Sequence, residues 1–546
     1  MKLLFFLPLL AALARAAALP GWWWWGVVFL APALRLLYWE RGGSWKGDLL
    51  GGVAFFALSF RFLEHVAPGM GWAPPIGVGI YLGGWWIMEG WAFRRLRKRM
   101  SPMNAGILAI LLIEYLRTLT PMGGVPWASF AWGMADLAPV QWAVPVLGES
   151  GITIIVVVVG CWLYQRPSLM RKPFRNPVLL ALLVYLGAVA LPAGNVTPLA
   201  PLEALAIQAN IGLGEKHARA LGVEESGIPT AMQVFAKQKA ASEAGLTKHP
   251  NADLILWAET MYPFPMIAPG ETGVMRRPWP GDADEVVSVT TLNAFQERRI
   301  AELFETVPSS GGFFLAGSHF YQAVEKESGG WSPRHSAVAV FNKEGALLDQ
   351  IAKSELVPFG EQLPLDGHFP GAKAMSLMIF GGFGLFPDFA RPDLPGPLEW
   401  NGWKIGAAVC WENVFEGVFR HQAMAGAEAF LILSNENWYG LSEEMDQMVA
   451  ATQFRALETG RAIFRATNTG RTVLISAAGQ VTAEIPAGEV GFLGVSLARI
   501  GGEFQTPYMQ WGWLFLPLLA LGAFLSLLRT FLPDWSISFS KSRSPS

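Results

Sequence analysis

Long apolar runs are the feature that most constrains this chain of 546 residues. A helix needs about 20 mostly apolar residues to cross the roughly 30 Å of hydrocarbon in a bilayer. Runs near that length lie at residues 3–19, 21–38, 49–66, 75–93, 103–119, 139–163, 177–193 and 510–532. The pattern therefore predicts a membrane α-helical bundle of about eight transmembrane helices.

Basic residues in the connections between these runs predict how the chain crosses the membrane. The strongest basic cluster lies at 94–99 and a second lies at 166–175. Lys and Arg in short loops stay on the cytoplasmic side. With these clusters in the cytoplasm, both termini are cytoplasmic and the long segment near 200–505 lies outside.

The runs and the charges together predict four segments. Residues 1–199 form a transmembrane bundle of seven helices, and 200–505 an extracytoplasmic domain. Residues 506–533 form a C-terminal transmembrane helix, and 534–546 a cytoplasmic tail. An alternative for residues 2–18 is a cleaved signal peptide, because Lys2 is followed by an apolar stretch and small residues. Cleavage would leave the orientation of the remaining segments unchanged.

Net charge divides the chain at the same boundary. Residues 1–199 carry a net charge of +9 and residues 200–500 a net charge of −12. Charged residues make up 15% of the chain, against about 25% in soluble proteins, which excludes ordinary soluble and disordered classes. An acidic domain is a poor partner for nucleic acid. The two cysteines exclude a disulfide scaffold.

Carboxyl groups also occur in or beside the apolar runs, at Glu89, Glu114 and Glu149. A carboxyl group in this setting is costly and is often functional. Hydrogen bonding between helices, or a position near the lipid headgroups, is the alternative.

The segment from 200 to 500 has short β runs alternating with helical stretches, which predicts a layered α/β domain with a largely buried sheet. Strands are predicted at 203–209, 253–258, 312–317, 336–342, 347–353, 404–409, 428–434, 461–466, 472–476 and 490–496. Helices are predicted at 229–245, 290–305, 413–425 and 442–459. The last is expected to have Ser442 as its N-cap and Gly460 just past its end.

Three chemically different side chains each follow or end a predicted strand: Glu259, Lys353 and Cys410. Because α/β sheets collect ligands at strand ends, a base, a cation and a nucleophile are expected to meet there. A helix following Cys410 would favour its thiolate. Taken singly, each charge could be a surface group, and Cys410 could be a small buried residue, as Cys161 is expected to be.

Longer strings around these residues resemble the nitrilase superfamily, whose catalytic set is Glu, Lys and Cys in this order. The resemblance is closest to its membrane-bound branch, the apolipoprotein N-acyltransferases. The strings are WAE at 257–259, Lys353 with LVPFGE at 356–361, VCWE at 409–412, SNENWYG at 434–440, RALE at 455–458 and RATNTG at 465–470. The family usually has Pro at Ala258, a shorter acid at Glu436 and a smaller aromatic at Trp411, so the shape of the substrate pocket is in question.

The resemblance implies a nitrilase-like αββα sandwich in a multi-pass protein of the bacterial cytoplasmic (inner) membrane, with the catalytic domain on the periplasmic side. Its implied activity is transfer of a fatty acyl chain from a membrane phospholipid to the α-amino group of the N-terminal diacylglyceryl-cysteine of apolipoproteins. Transfer would be ping-pong, through a thioester on Cys410. No cofactor, metal or nucleic acid is implied, and a monomer is expected.

Roles for individual residues also follow from the resemblance. Glu259 would act as the general base, and Lys353 would stabilise the oxyanion together with a backbone N–H near Trp411. Glu361 and Glu412 would be supporting carboxylates that hold Lys353 charged and oriented, or else structural ion-pair partners. Substrate contacts are expected from Trp257, Trp411, Asn435, Trp438 and Tyr439.

Two apolar loops are further candidates for contact with lipid. One contains Phe264, Met266 and Ile267, and the other covers 374–386, which is too short to span a bilayer. We expect both to face the membrane and admit acyl chains. The alternative is that they pack on the core of the domain.

Two other functions use the same residues. A membrane-tethered amidase or nitrilase would use the same three groups with water as the second nucleophile, although it has no evident need for eight crossings. A non-enzymatic receptor or scaffold would predict that replacing Cys410 by Ser has no effect.

Overall fold

The computed structural model describes residues 3–22, 24–66, 69–119, 124–165, 185, 187, 196–212, 231–267, 270–277, 285–306, 312–325, 332–362 and 389–531. Its α-helices are α1 Leu7–Ala16, α2 Leu30–Glu40, α3 Trp45–Ser59, α4 Ala73–Leu96, α5 Pro102–Leu119, α6 Ala138–Gln165, α7 Ala231–Lys248, α8 Val289–Thr306, α9 Glu416–Met424, α10 Glu444–Thr459, α11 Pro507–Gln510 and α12 Phe515–Arg529. Short 3₁₀ helices include Arg61–His65, Cys410–Val414 and Glu436–Tyr439.

An N-terminal helical region, α1 to α6, packs together with α12 at the C-terminal end. Three helical segments in the described residues are long and apolar enough to cross a membrane: Pro102–Leu119, Ala138–Tyr164 and Gly512–Arg529. The predicted run at 177–193 lies outside the described residues, apart from residues 185 and 187. The count of eight crossings and the orientation therefore remain predictions.

The three carboxyl groups of this region form ion pairs. Glu114 binds Arg15 at 2.9 Å and Arg117 at 2.8 Å. Glu89 binds Arg35 at 2.8 Å. Glu149 binds Arg455 of α10 at 2.7 Å, which connects the helical region to the catalytic domain. The first two pairs join helices to each other, as the structural alternative predicted.

The strands of the domain are β1 Pro198–Gln208, β2 Leu254–Trp257, β3 Met266–Ile267, β4 Val274–Arg277, β5 Glu285–Ser288, β6 Phe313–Tyr321, β7 Arg334–Phe341, β8 Leu347–Ala352, β9 Leu398–Trp400, β10 Trp403–Val409, β11 Ala429–Ser434, β12 Ile463–Thr467, β13 Thr472–Ile475, β14 Val481–Ile485 and β15 Gly491–Ile500. The first sheet has the order β15-β1-β2-β6-β7-β8, with β3 also paired to β6. The second has the order β14-β13-β12-β11-β10-β9, and β4 pairs with β5. The centres of both large sheets are parallel, through β1-β2-β6 and β10-β11-β12.

The two large sheets pack face to face between two layers of helices. Leu256 of the first sheet and Leu431 of the second belong to one buried core. The outer face of the first sheet, including Phe314, packs on α7 and α8. On the second sheet, the ring of Phe430 lies 5.0 Å from that of Phe419 in α9. The domain is therefore the αββα sandwich that the sequence analysis expected, and it follows an N-terminal helical region.

All ten predicted strands and all four predicted helices of the domain are present, with small shifts at their ends. The prediction that Ser442 caps the last helix is wrong. The chain is still bending at residues 441 and 442, so α10 begins at Glu444 after Glu443, with no side-chain cap. Gly460 ends this helix as predicted, with a φ of 65° that favours glycine.

The apolar loop at 264–267 does not face the membrane, so this expectation is wrong. Phe264 and Met266 are buried in the core formed with α7 and α8, and Ile267 is buried in a neighbouring cluster. Their side chains are already shielded from water within the domain, so contact with lipid is not required. The other predicted loop, 374–386, lies outside the described residues.

Candidate active site

Cys410 stands at the point where β10 ends and a 3₁₀ helix begins. Its φ is 52°, a left-handed value that is uncommon for a residue other than glycine and that often marks a functional site. Cys410 is 6% exposed, and its side chain interacts with that of Ser434, at the end of the neighbouring strand β11. The sharp turn thus holds the thiol at the edge of the second sheet.

Glu259 follows β2, on the facing sheet, and its carboxylate accepts hydrogen bonds from both sheets. The Ser336 hydroxyl donates to Oε1 at 3.4 Å, and the Asn435 backbone N–H donates to Oε2 at 3.1 Å. The Cys410 side chain also interacts with this carboxylate. A proton acceptor therefore lies directly against the thiol.

Lys353 comes directly after β8 and is 1% exposed. Its Nζ lies 2.9 Å from Oε1 of Glu361 and 3.5 Å from Oε1 of Glu259. The second oxygen of Glu361 accepts the Val357 N–H at 2.8 Å, which fixes the carboxylate. Strands β2, β8 and β10 thus bring Glu259, Lys353 and Cys410 to one place at their carboxyl ends.

Burial and charge set the protonation of these groups. Burial and the nearby Glu259 raise the pKa of Cys410 to about 12. Burial raises the pKa of Glu259 although Lys353 opposes the rise. Burial would lower the pKa of Lys353, but Glu361 and Glu259 outweigh it and hold the pKa well above its ordinary value. Loss of water and the facing carboxylate both disfavour the thiolate, which runs against the expectation that a helix end would favour it.

Glu412 has a different position from the one expected for a partner of Lys353. Its Oε1 accepts from the N–H and hydroxyl of Ser354, each at 2.7 Å, and its Oε2 accepts from the Val409 N–H at 2.8 Å. The carboxylate thus connects the backbone just after Lys353 to the strand that ends at Cys410. Of the two predicted supporting carboxylates, Glu361 contacts the ammonium and Glu412 positions the backbone.

The residues predicted to touch substrate lie in different surroundings. Trp411 and Tyr439 line a cleft beside Cys410. Asn435 binds Glu259 through its backbone, and Trp438 is partly exposed in the 3₁₀ helix beside Tyr439. Trp257 is fully buried on the outer face of the first sheet, where its indole N–H donates to Ser242 at 2.8 Å. The structure therefore does not bring Trp257 to the cleft.

Glu436 lies in the core instead of the cleft. It is fully buried, forms an ion pair with Arg465 and accepts a hydrogen bond from Ser434 at 2.8 Å. A Cβ on Gly470 would overlap its carboxylate, so the longer acid fits because residue 470 has no side chain.

The cleft beside Cys410 is apolar, and its volume is about 600 Å³ when the open mouth is included. One wall comes from the helical region, and the other comes from the domain. The lining residues are Phe60, Phe62, Leu63, Val78, Tyr81, Leu82, Val125 and Trp127 on the first wall, and Val357, Pro358, Phe359, Cys410, Trp411, Tyr439, Glu444 and Met448 on the second. The indoles of Trp127 and Trp411 stack across the junction at 5.4 Å.

Most of this lining was not identified from the sequence. Phe60, Phe62 and Val78 lie where predicted apolar runs begin or end, and such positions do not reveal which domain surface they face. Within the described residues, no group of three His, Cys, Asp or Glu side chains is placed to hold a metal ion.

Comparisons with known proteins match both parts of the chain. The sequence profile of the carbon-nitrogen hydrolase family matches residues 226–502, and that of the apolipoprotein N-acyltransferase N-terminal domain matches residues 9–162. A relative from Gloeobacter violaceus named apolipoprotein N-acyltransferase is 28% identical over 514 residues, covering 89% of this chain and 85% of the relative. One of the same name from Azotobacter vinelandii is 26% identical, covering 80% and 75%.

A solved amidase of the nitrilase superfamily from Nesterenkonia is 14% identical and covers 58% of this chain and 96% of its own, with a TM-score of 0.34. The family assignment rests on the two profiles, the first of which covers more than half of the chain. The chain belongs to the carbon-nitrogen hydrolase family, in the membrane-bound branch that the apolipoprotein N-acyltransferases form.

Proposed function

We propose that this enzyme transfers a fatty acyl chain from a membrane phospholipid to the α-amino group of the N-terminal diacylglyceryl-cysteine of apolipoproteins. One observation carries the proposal. Among the described residues, Cys410 is the only thiol at the sheet edge, and it lines an apolar cleft shared with the helical region. The apolar lining suits an acyl chain, and a small polar amide gains nothing from it.

The first half-reaction forms a thioester. Glu259 accepts the Cys410 proton, which a pKa of about 12 would otherwise keep on sulfur at neutral pH. The sulfur attacks the ester carbonyl, and the negative charge on the carbonyl oxygen is stabilised by Lys353 and a backbone N–H near Trp411. The ester C–O bond then breaks, and the departing lysophospholipid oxygen takes the proton from Glu259.

The second half-reaction moves the acyl group to nitrogen. The neutral α-amino group of the acceptor attacks the thioester, and Glu259 takes a proton from that nitrogen. The C–S bond breaks, the amide is released, and the proton returns to sulfur. The enzyme is regenerated without a cofactor, and Lys353 stays charged throughout because Glu361 holds it.

Location supports the same proposal. The enzyme's cleft is bordered by the 3₁₀ helix Arg61–His65 and by α4, which overlap the predicted membrane crossings at 49–66 and 75–93. We propose that the domain faces the periplasm of a bacterial inner membrane, with both termini in the cytoplasm and the enzyme acting as a monomer.

Mass spectrometry of the full chain tests the proposal. After incubation with a phospholipid carrying labelled acyl chains, we expect one acyl adduct on Cys410, absent from the Cys410→Ala variant. Adding a diacylglyceryl-cysteine peptide should remove the adduct and label the peptide amine. Loss of the adduct to water at the same rate without peptide would support a hydrolase instead, and absence of any adduct would overturn the proposal.

A further inference from the structure

One carboxyl group in the cleft is not used by the reaction described above. Glu444 is the first residue of α10, lines the cleft and is 1% exposed. Neither of its oxygens has a hydrogen-bond partner among the described residues. A buried polar group without a partner is costly, and in native proteins it calls for an explanation.

Glu444 has none of the usual structural roles of a carboxylate in this position. It does not cap α10, because no side-chain cap bond is present. Its neighbour Glu443 shows the contrast, since Glu443 binds Arg61 of the helical region at 2.8 Å. Asp446, two residues further on, binds Arg471 at 2.8 Å. Both neighbours have cations, and Glu444 has none in the described part of the chain.

The surroundings of Glu444 would favour a cation over an anion. No lysine or arginine is among the described residues that line the cleft. Beside Cys410, the single ammonium of Lys353 already faces Glu361 and Glu259. The excess of carboxylates would therefore repel a negatively charged ligand, whereas a positively charged ligand would neutralise it.

A second unpartnered side chain lies on the same helix, behind the cleft lining. Gln447 lies one turn further along α10 and is fully buried, and neither its oxygen nor its nitrogen has a partner among the described residues. Residues three apart on a helix share a face. An amide oxygen is thus available behind the Glu444 carboxyl, and an ammonium group has three N–H donors to share between such acceptors.

From these observations we propose that Glu444 forms a subsite for a primary ammonium group of a substrate, with Gln447 as its support. The inference rests on the proposed function, which supplies two sources of that group: the headgroup of an ethanolamine phospholipid and the α-amino terminus of the acceptor, which is an ammonium until it loses a proton to become the nucleophile. Burial and the nearby Glu443 raise the pKa of Glu444 well above its ordinary value, which favours the protonated acid when no cation is bound. A bound ammonium supplies the missing charge, and the carboxyl proton leaves to solvent.

Binding measurements in the Cys410→Ala background test the subsite without requiring any chemistry. The full chain in nanodiscs is mixed with ligands from two matched pairs. The first pair is phosphatidylethanolamine and phosphatidylglycerol with the same acyl chains. The second pair is a diacylglyceryl-cysteine peptide with a free amino group and the same peptide with an acetylated one. Affinities are read by native mass spectrometry. We expect a preference of about tenfold for the amine form of one pair, which identifies the source.

Glu444→Gln should remove that preference, because the amide keeps the shape of the carboxyl without its charge. Glu444→Met provides a second variant, which should fold at least as well because no unpartnered carboxyl is then buried. Glu489→Gln, at an exposed position, is the matched control and should keep the preference.

The subsite is overturned if the parent shows no preference in either pair. It is also overturned if both Glu444 variants keep the preference, or if they weaken all four ligands equally. The proposed function fails by a different result, the absence of an acyl adduct on Cys410 in the wild-type chain.

Discussion

Two buried ion clusters in this protein use the same residue types for different ends. In the helical region, both oxygens of Glu114 bind arginines, Arg15 and Arg117. In the domain, Glu259 shares Lys353 with Glu361 and also faces the Cys410 thiol. The first cluster has strong bonds and no group that needs to change charge. The second holds a base against a proton donor, which is what a reaction requires.

The first cluster nevertheless supports the second. Arg15 donates to the backbone oxygen of Ala128 at 3.2 Å, and Arg117 donates to that of Trp127 at 2.8 Å. These bonds hold the loop whose indole stacks on Trp411, next to the nucleophile. The fully paired cluster of Glu114 thus positions the loop that carries Trp127. The cluster of Glu259 is only partly paired, and it can therefore react.

The largest expected effect is a loss of activity when the cluster of Glu259 is changed. Glu259→Gln should slow acylation of Cys410 by about 1000-fold, because the amide cannot accept the thiol proton. Single-turnover acylation with labelled phospholipid measures the rate. Glu489→Gln is the control and should keep the wild-type rate. A fall of less than about tenfold would mean that another group serves as the base.

The second expected effect is a loss of stability when the cluster of Glu114 is changed. Glu114→Gln leaves two buried guanidinium groups without their carboxylate and should lower the free energy of unfolding by about 3 kcal/mol. Glu40→Gln breaks an exposed pair with Arg97 and should cost less than about 1 kcal/mol. Thermal unfolding in detergent compares the two variants. Equal losses would contradict the structural role assigned to the first cluster.

The third prediction concerns pH. The base acts only when Glu259 is deprotonated, and its raised pKa means that it keeps its proton to a higher pH than an ordinary carboxyl group. Acylation should therefore fall about tenfold per pH unit below a midpoint that lies above 4.5, the ordinary value. Acylation rates measured from about pH 4 upward locate the midpoint. A rate that stays flat down to an ordinary carboxyl pKa would contradict the proposed base.

The smallest effect tests the connection between the clusters. Trp127→Leu removes a stack that contributes about 1 kcal/mol and should raise the KM for phospholipid by about fivefold with little change in kcat. Leu519→Ala, exposed on the C-terminal helix α12, is a control that should leave KM unchanged. An unchanged KM in Trp127→Leu would show that the stack does not shape the cleft.

The sequence predicts the central strands of the domain because they are continuous apolar runs, as in β2 and β11. It does not predict β3, with two residues, or β14, whose first four residues alternate between half-buried and exposed and include Glu484. These strands depend on partners that are distant in sequence. Motif order identifies Glu259, Lys353 and Cys410, because each follows a strand whose end lies at the same edge.

Contacts between the two parts of the chain are the least predictable. Nothing near Trp127 in the sequence indicates that it stacks on Trp411, and Arg61 gives no sign that it binds Glu443. Glu444 reads from the sequence as an ordinary acidic residue in the first turn of a helix. Only the assembled cleft shows that its carboxyl faces an apolar space and has no partner in the described part of the chain.

The shared cleft has a consequence for how this protein can be altered. One wall is encoded before residue 130 and the other after residue 350, so neither half of the gene specifies a complete binding surface. A chimera that joins this catalytic half to the helices of a distant homologue would therefore retain its nucleophile but have a mismatched wall. Compensating changes on both sides of the junction would be needed, so we expect substitutions at this boundary to occur in pairs.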